Sequence, residues 1–293
     1  MEICLHGNKL REWILSKSEK PAGARPENPA DDEREPVGYV LDGDVAIVTL
    51  QRSQKRNAIS DRMVEALAVT VQRADGEAKA AVIRGAGDHF CAGLDLAEHV
   101  DKTPIEGVRG SRRWHAIFDM IEHGSIPWIS ALHGAVIGGG LELAASTHIR
   151  VADRGAFFAL PEGQRGIFVG GGGSVRIARL MGVARMTDLM LTGRVASADE
   201  AASWNLAQYV VDEGAALAKA CELARKAAGN AELSNYAVIN ALPRIQDMSR
   251  ADGLFVESFI SSFTAASPEA EARLRAFLEK RAVRLDVPRG GDK

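Results

Sequence analysis

Hydrophobic and polar positions begin to alternate in a structured way at Tyr39. Tyr39-Val40-Leu41, the turn Asp42-Gly43-Asp44 and Val45-Ala46-Ile47-Val48-Thr49-Leu50 predict a β-hairpin, with Asp-Gly supplying the reversal. Ser60 is placed to cap a helix running to Val71, with Met63, Ala66, Leu67 and Thr70 on one face. Ala80 to Arg84 predicts a short strand entering the turn Gly85-Ala86-Gly87, Trp114 to Ile121 a helix, and Trp128 to Leu132 a buried strand. A glycine cluster then precedes a short helix over Leu141 to Ser146 and a strand over His148 to Ala152, and a second cluster precedes a helix over Ser174 to Met181. Strand, turn and helix alternate, which is the patterning of an α/β fold. From about Ala196 the pattern turns helical and strand-free, broken by Gly214, Gly229-Asn230, Pro243, Gly253 and Pro268. The shift sets an expected boundary near Gly229.

The first 36 residues differ from everything that follows. Lys17 to Pro36 is rich in Pro, Ala, Glu, Asp, Lys and Arg, too poor in apolar side chains to offset the entropy of ordering them. Residues 1–36 are therefore expected to form a disordered tail, 37–229 an α/β core, 230–286 a helical C-terminal region and 287–293 a second tail. Met1 to Lys20 has no continuous apolar stretch or small-residue cleavage site and does not read as a signal peptide.

Composition narrows the function classes. The 293 residues carry a formal net charge of −3, which gives no electrostatic footprint for nucleic acid or an anionic membrane. No apolar run approaches the roughly 20 residues of a membrane span. Cys4, Cys91 and Cys221 are far apart and form no Cys-x-x-Cys pair, so neither a disulfide framework nor a zinc site is expected, and a reducing compartment, the cytoplasm, suits the chain.

Chemistry concentrates in three glycine-containing stretches. In Ile129-Ser-Ala-Leu-His-Gly-Ala-Val-Ile-Gly-Gly-Gly-Leu-Glu-Leu-Ala145 a strand meets three glycines and a helix start. Amides at such a start have no intrahelical partner and lie at the positive end of the helix dipole, which suits an oxyanion or a phosphate. The Lys-Ser/Thr of a P-loop is missing and G-x-G-x-x-G is not spelled, which disfavours nucleotide phosphates. Glu142 sits one turn inside; by spacing alone it reads equally well as a carboxylate stabilised by the dipole. Glu162, after Leu160-Pro161, reads alone as a solvated loop carboxylate, and Asp88-His-Phe-Cys-Ala-Gly-Leu-Asp95 as a turn before a helix. His133 and His148 read as hydrogen-bonded core histidines, and Cys91, lacking a base partner, as a packing residue.

Taken in order, from about Val37 to Asp286, these stretches resemble the enoyl-CoA hydratase/isomerase (crotonase) family. Arg52-Ser-Gln-Lys-Arg-Asn-Ala58 is similar to its first CoA-binding segment, Phe90-Cys-Ala-Gly-Leu-Asp95 to its F-x-A-G-x-D motif, and Gly138-Gly-Gly-Leu-Glu142 to its G-G-G-x-E motif. Leu160-Pro-Glu162 stands where its second carboxylate falls, Leu191-Thr-Gly193 resembles its L-T-G segment, and Phe277-Leu-Glu-Lys-Arg281 its terminal F-x-x-K-R. The resemblance implies a spiral core of ββα units with a helical oligomerisation region. It implies Glu142 and Glu162 as catalytic carboxylates, amides of Leu94 and Gly139 as an oxyanion hole, and Gly170 as the amide that positions water. It also implies contacts to substrate or CoA from Arg56, Ala58, Ala92, Asp95, Lys280 and Arg281.

The activity so implied is reversible hydration of a 2-enoyl-CoA in fatty acid metabolism, with coenzyme A part of the substrate, no separate cofactor and no metal. The protein would be a homotrimer or homohexamer without nucleic-acid or membrane partners. The nearest alternative is an isomerase or another crotonase-type lyase on a CoA thioester; a more distant one is a non-catalytic homologue that binds acyl-CoA or RNA. The chain departs from the family pattern at Gln51-Arg52-Ser53, His133, His148, Val169 and Gly163-Gln164-Arg165, which surround the acyl site and leave the natural substrate open.

Overall fold

A computed structural model describes residues 35–100 and 102–281. The expected tails, 1–36 and 287–293, lie outside the described residues but for Glu35 and Pro36, as do the last five residues of the expected helical region. The described residues divide into two compact units between Gly229 and Asn230.

The first unit is built on a six-stranded sheet. Strands β1 (Val37–Asp42) and β2 (Val45–Leu50) form the hairpin. Then β3 (Ala80–Gly85), β4 (Trp128–Leu132), β6 (Ile149–Asp153) and β9 (Tyr209–Val211) continue it in parallel, in the order β1-β2-β3-β4-β6-β9. A smaller sheet joins β5 (Ala135–Ile137) in parallel to β7 (Phe157–Ala159), which pairs antiparallel with β8 (Ala196–Ser197).

Parallel strands are covered on both faces, and the pleat sorts their side chains accordingly. Ala81 and Ile83 of β3 point into a cluster with Met63 and Leu67 of α1 (Asp61–Glu77) and Ile117 and Phe118 of α2 (Pro104–Glu122). Ala80 and Val82 point the other way, onto Ala216, Ala220, Cys221, Ala224 and Ala228. These small residues belong to α7 (Ala216–Ala228) and let it lie close to the sheet. The remaining helices of this unit are α3 (Gly139–Ser146), α4 (Gly173–Met181), α5 (Val183–Thr192) and α6 (Ala198–Ser203).

Three differences from the sequence reading have identifiable causes. Helix α1 runs to Glu77, six residues past its expected end, because nothing in Gln72 to Glu77 breaks it. Helix α2 starts at Pro104 instead of Trp114: its first half is largely exposed and has no apolar face, yet Thr103 and Glu106 form a capping box. The stretch after Ala196 is not strand-free, since β8 and β9 of two and three residues are too short to carry a periodicity.

The second unit contains α8 (Glu232–Ile245), α9 (Arg250–Ala265) and α10 (Pro268–Leu278), the last two capped by Ser249 and Ser267. Among the described residues no helix is long and apolar enough to cross a membrane.

One side chain locks the exit of the hairpin to the exit of β3. Asn57, fully buried and left-handed at φ 55°, donates from Nδ2 to the carbonyls of Ala86 (2.9 Å) and His89 (2.8 Å). Its Oδ1 accepts from the Arg52 amide at 3.0 Å. An alanine there strands three partly buried backbone groups in a conformation it tolerates poorly. Asn57→Ala is expected to lower unfolding free energy by about 3 kcal/mol in urea denaturation. A loss below about 1 kcal/mol would show that the lock is dispensable.

Candidate active site

Three segments of the first unit converge on one cleft of about 700 Å³. The segment after β3 brings Ala92, Gly93 and Leu94; the turn after β5 brings Gly138, Gly139 and Glu142; and the exit of β7 brings Glu162. They are stitched together by backbone pairing. Cys91 forms a bridge to Val136, the Ile137 amide donates to the Cys91 carbonyl at 3.1 Å, and the Gly138 amide to the Ala159 carbonyl at 3.0 Å.

Two amides face each other across this junction. The bridge between Ile59 and Leu94 uses the Gly93 carbonyl and the Asp95 amide, so the Leu94 N–H points away from it. Gly139 opens α3, where an amide has no intrahelical acceptor. Their closeness shows in what added side chains would meet: a Cβ on Gly93 would lie 3.2 Å from the Gly139 nitrogen, and one on Gly139 3.4 Å from the Leu94 nitrogen. Gly139 has no room for a side chain for a further reason, because its Cβ would sit 2.6 Å from the Trp114 ring.

Glu142 is buried, and its Oε1 accepts from the amides of Gly171 and Gly173, each at 2.8 Å. Burial pushes its carboxyl pKa upward, against the amides of Gly173, Gly171 and Gly170, which favour the anion. The loop's carbonyls are held facing elsewhere. Ser111 of α2 donates to the Gly170 carbonyl at 2.5 Å, and the buried Arg176 donates to that of Gly171 at 3.1 Å. Arg176 is itself held by ion pairs to Asp119 and Glu122 of α2.

Glu162 is also buried, beside Gly138, where a Cβ would lie 2.6 Å from its Oε1. Its Oε2 has no hydrogen-bond partner among the described residues. Burial pushes its pKa up to about 7, and the nearby Glu142 adds to the rise while Arg165 opposes it.

The cleft thus brings together Glu142, Glu162, Leu94, Gly139, Gly170 and Ala92 of the residues expected from the sequence. Arg56 and Ala58 lie just behind it: the Arg56 carbonyl accepts from the Ala92 amide at 3.0 Å and the Ala58 carbonyl from Arg52 at 2.5 Å. Asp95 is committed within the chain, paired with Arg52 at 3.0 Å and capping the turn Leu96–Glu98. Lys280 and Arg281 belong to the second unit.

His148 accepts from the Trp128 amide at 2.8 Å and donates through Nε2 to the Glu122 carbonyl at 3.2 Å. Burial drives its pKa down to about 4, so it stays neutral. His133 lies 3.0 Å from the Gly87 carbonyl, and Cys91 is buried with its thiol on the Asn57 carbonyl at 3.0 Å.

Trp114, Ser111 and Arg176 are the site residues that sequence reasoning missed. Trp114 counted only as a helix position, and the ion-pair partners of Arg176 are more than fifty positions away, beyond any local pattern. Asp119, Glu122 and His123 bring possible metal-ligand atoms within 4.8 Å of one another. Two of the three are the ion-pair partners of Arg176, so the charge of that cluster is already answered.

A family model for enoyl-CoA hydratase/isomerase matches residues 41–286. The enoyl-CoA hydratase EchA19 of Mycobacterium tuberculosis is 33% identical over 245 residues, covering 82% of this chain and 92% of that protein. The short-chain-enoyl-CoA hydratase of Clostridium acetobutylicum is 31% identical over 245 residues, covering 83% and 94%. A crystal structure from Rhodopseudomonas palustris superposes with a TM-score of 0.82 at 46% identity, covering 88% of this chain and 98% of that one. The enoyl-CoA hydratase structure from Bacillus anthracis gives 0.80 at 28%, covering 85% and 98%. With the match spanning both units and the cleft, the chain belongs to the enoyl-CoA hydratase/isomerase family.

Proposed function

We propose that the protein adds water reversibly across the double bond of a trans-2-enoyl-CoA. The observation that carries this reading is a pair of buried carboxylates, Glu142 and Glu162, facing one cleft that the neighbouring amides of Leu94 and Gly139 also line. The thioester oxygen accepts hydrogen bonds from Leu94 and Gly139, where enolate charge develops; such a donor is worth about 3 kcal/mol. Water lies between the carboxylates, near the Gly170 amide. Glu142, whose anion the loop amides support, takes a proton as the water oxygen bonds to the β-carbon. Glu162 holds the proton that goes to the α-carbon, in keeping with its raised pKa. Electrons move only within substrate and water, so in this reading coenzyme A is carried by the substrate and no separate cofactor takes part. Arg56, Ala58 and Ala92 flank the CoA moiety, Asp95 acts by fixing Arg52, and Lys280 and Arg281 meet CoA phosphates.

The second unit supports a homo-oligomer. Tyr236, Val238, Leu242, Leu254, Phe255, Phe259, Phe263 and Phe277 are exposed, while Ile239 is buried. Apolar surface of that extent marks an interface, and closed symmetry is the usual way of covering it.

Glu142→Gln and Glu162→Gln are each expected to cut hydration of crotonyl-CoA by at least about 10²-fold, with folding and CoA affinity retained. Near-normal turnover by either variant would show that the pair does not share the proton transfers. A panel assayed for both hydration and double-bond migration separates the hydratase from an isomerase.

The pH profile follows from the shift at Glu162. If its proton is the one delivered, kcat/KM for hydration falls as pH rises through about 7, and Glu162→Gln removes that limb. A wild-type profile that stays flat from about pH 6 to 9 would contradict the assignment.

Light scattering on the full chain is expected to give a trimer or hexamer at assay concentration. Full activity in a monomer would rule out both the interface and the use of Lys280 and Arg281 from a neighbouring copy.

A further inference from the structure

Helix α2 turns a nearly bare face to the cleft. Pro104, Gly107, Gly110, Ser111 and Trp114 line it over about three turns, at the spacing of residues that share one side of a helix. The fold does not require the two glycines. Neither has a positive φ, and a Cβ on either would meet nothing within 4 Å outside its own stretch of helix. At Gly139, Gly171 and Gly173, by contrast, an added Cβ would lie 2.6, 2.9 and 2.8 Å from its nearest neighbour. Glycine inside a helix is destabilising relative to alanine, because it has more backbone freedom to lose. What Gly107 and Gly110 give in return is space, since the room left by their missing side chains belongs to the cavity of about 700 Å³.

That space suits an apolar chain. Leu96, Ile167, Phe168 and Val169 line the same cavity. The charged groups around the start of α2 are answered: Lys102 pairs with Asp61 at 2.7 Å, and Glu106 closes the capping box with Thr103. Glu162 independently marks the cavity as a ligand site, for it lines it, is 7% exposed, and has an Oε2 without a hydrogen-bond partner among the described residues.

Helix geometry sets a length. Trp114 lies over Gly139, the residue whose amide is proposed to hold the thioester oxygen. At about 1.5 Å per residue, Gly110 is about 6 Å from Trp114 along the axis and Gly107 about 10 Å. With bonds of about 1.5 Å, an extended carbon chain advances about 1.25 Å per carbon, so it passes Gly110 after about five carbons and Gly107 after about eight.

Resting on the hydratase reading, we propose that the preferred substrate is a trans-2-enoyl-CoA with an apolar acyl chain of about ten carbons or more, laid along the Gly107 and Gly110 face of α2. The two glycines are then specificity residues that set how far the chain can extend.

The test measures kcat/KM for crotonyl-, trans-2-octenoyl- and trans-2-dodecenoyl-CoA in wild type, Gly110→Leu and Gly107→Leu, each relative to crotonyl-CoA in the same protein. Wild type is expected to favour dodecenoyl-CoA over crotonyl-CoA at least about tenfold. Gly110→Leu is expected to lower the relative values of both longer substrates at least about tenfold, and Gly107→Leu that of dodecenoyl-CoA alone. A general disturbance of the helix would not produce this graded cut-off. A wild-type preference for crotonyl-CoA overturns the proposal. So does a loss that is equal for all three substrates, because the pantetheine arm and not the acyl chain then lies on this face. Gly107→Ala and Gly110→Ala are expected to melt at or above the wild-type temperature, alanine being the better helix former. Melting below it would mean that the glycines serve packing, and that too overturns the proposal. Calorimetry with butyryl-, octanoyl- and dodecanoyl-CoA repeats the comparison without turnover. A protein that hydrates none of the enoyl thioesters but binds the acyl-CoAs with the same graded cut-off refutes the hydratase reading and keeps the groove. One that hydrates crotonyl-CoA with no length dependence at either glycine does the reverse.

Discussion

The cleft is organised around a buried carboxylate whose ionisation the surrounding amides favour. Glu142 is 3% exposed, and the interior alone would hold it protonated. The amides of Gly171 and Gly173 counter this, and they can do so because the carbonyls of Gly170 and Gly171 are pulled away by Ser111 and Arg176. Successive N–H groups turned toward one point make an anion-binding concavity. Arg176 in turn is held by Asp119 and Glu122, so α2 anchors a loop that is remote from it in the chain. The same helix supplies Trp114, whose ring fills the space above Gly139 and forbids a side chain there. One helix therefore supports the anion, the loop that stabilises it and the wall over the Leu94 and Gly139 amides.

Topology explains why these groups meet. Strands β5 and β7 run parallel in the smaller sheet, so the segments leaving them emerge on one side, and an isolated parallel bridge brings the segment that follows β3 of the larger sheet alongside. The Cys91–Val136 bridge and the Gly138–Ala159 hydrogen bond then fix their relative register. Asn57 adds the hairpin exit to this assembly through the carbonyls of Ala86 and His89. Buried glycine and backbone contacts set the positions of Leu94 and Gly139, which is why residues with no chemistry of their own define the site.

Much of this was legible in the chain, and what was not has physical reasons. The hairpin, β3, β4 and the short helices after the glycine clusters are local patterns, and they fold where the periodicity puts them. The pairing of Glu142 with Glu162 was not readable from spacing, since each alone suits a helix start or an exposed loop; the ordered motifs brought them together. Ser111 and Arg176 were invisible because their roles depend on contacts 59 and 54 positions apart. Strand β9 escaped because three residues cannot show a period, and only pairing with β6 makes it a strand. Helix α2 was truncated because its capping box lies ahead of ten largely exposed residues.

The buried pair also sets a conflict between stability and reactivity. Glu162 titrates near 7 in the folded protein against an ordinary 4.5, so the folded state holds its proton more tightly than the unfolded chain. Its contribution to stability is full below about 4.5 and is lost as pH rises through 7. At neutral pH the fold accommodates a partly ionised carboxylate whose Oε2 has no partner among the described residues. An added donor would relieve that cost and stabilise the anion, but it would also lower the pKa and take away the proton that the proposed mechanism assigns to Glu162. Glu142, surrounded by amides, and Glu162, left without them at Oε2, are thus two carboxylates in one cleft made chemically unequal by their backbone surroundings.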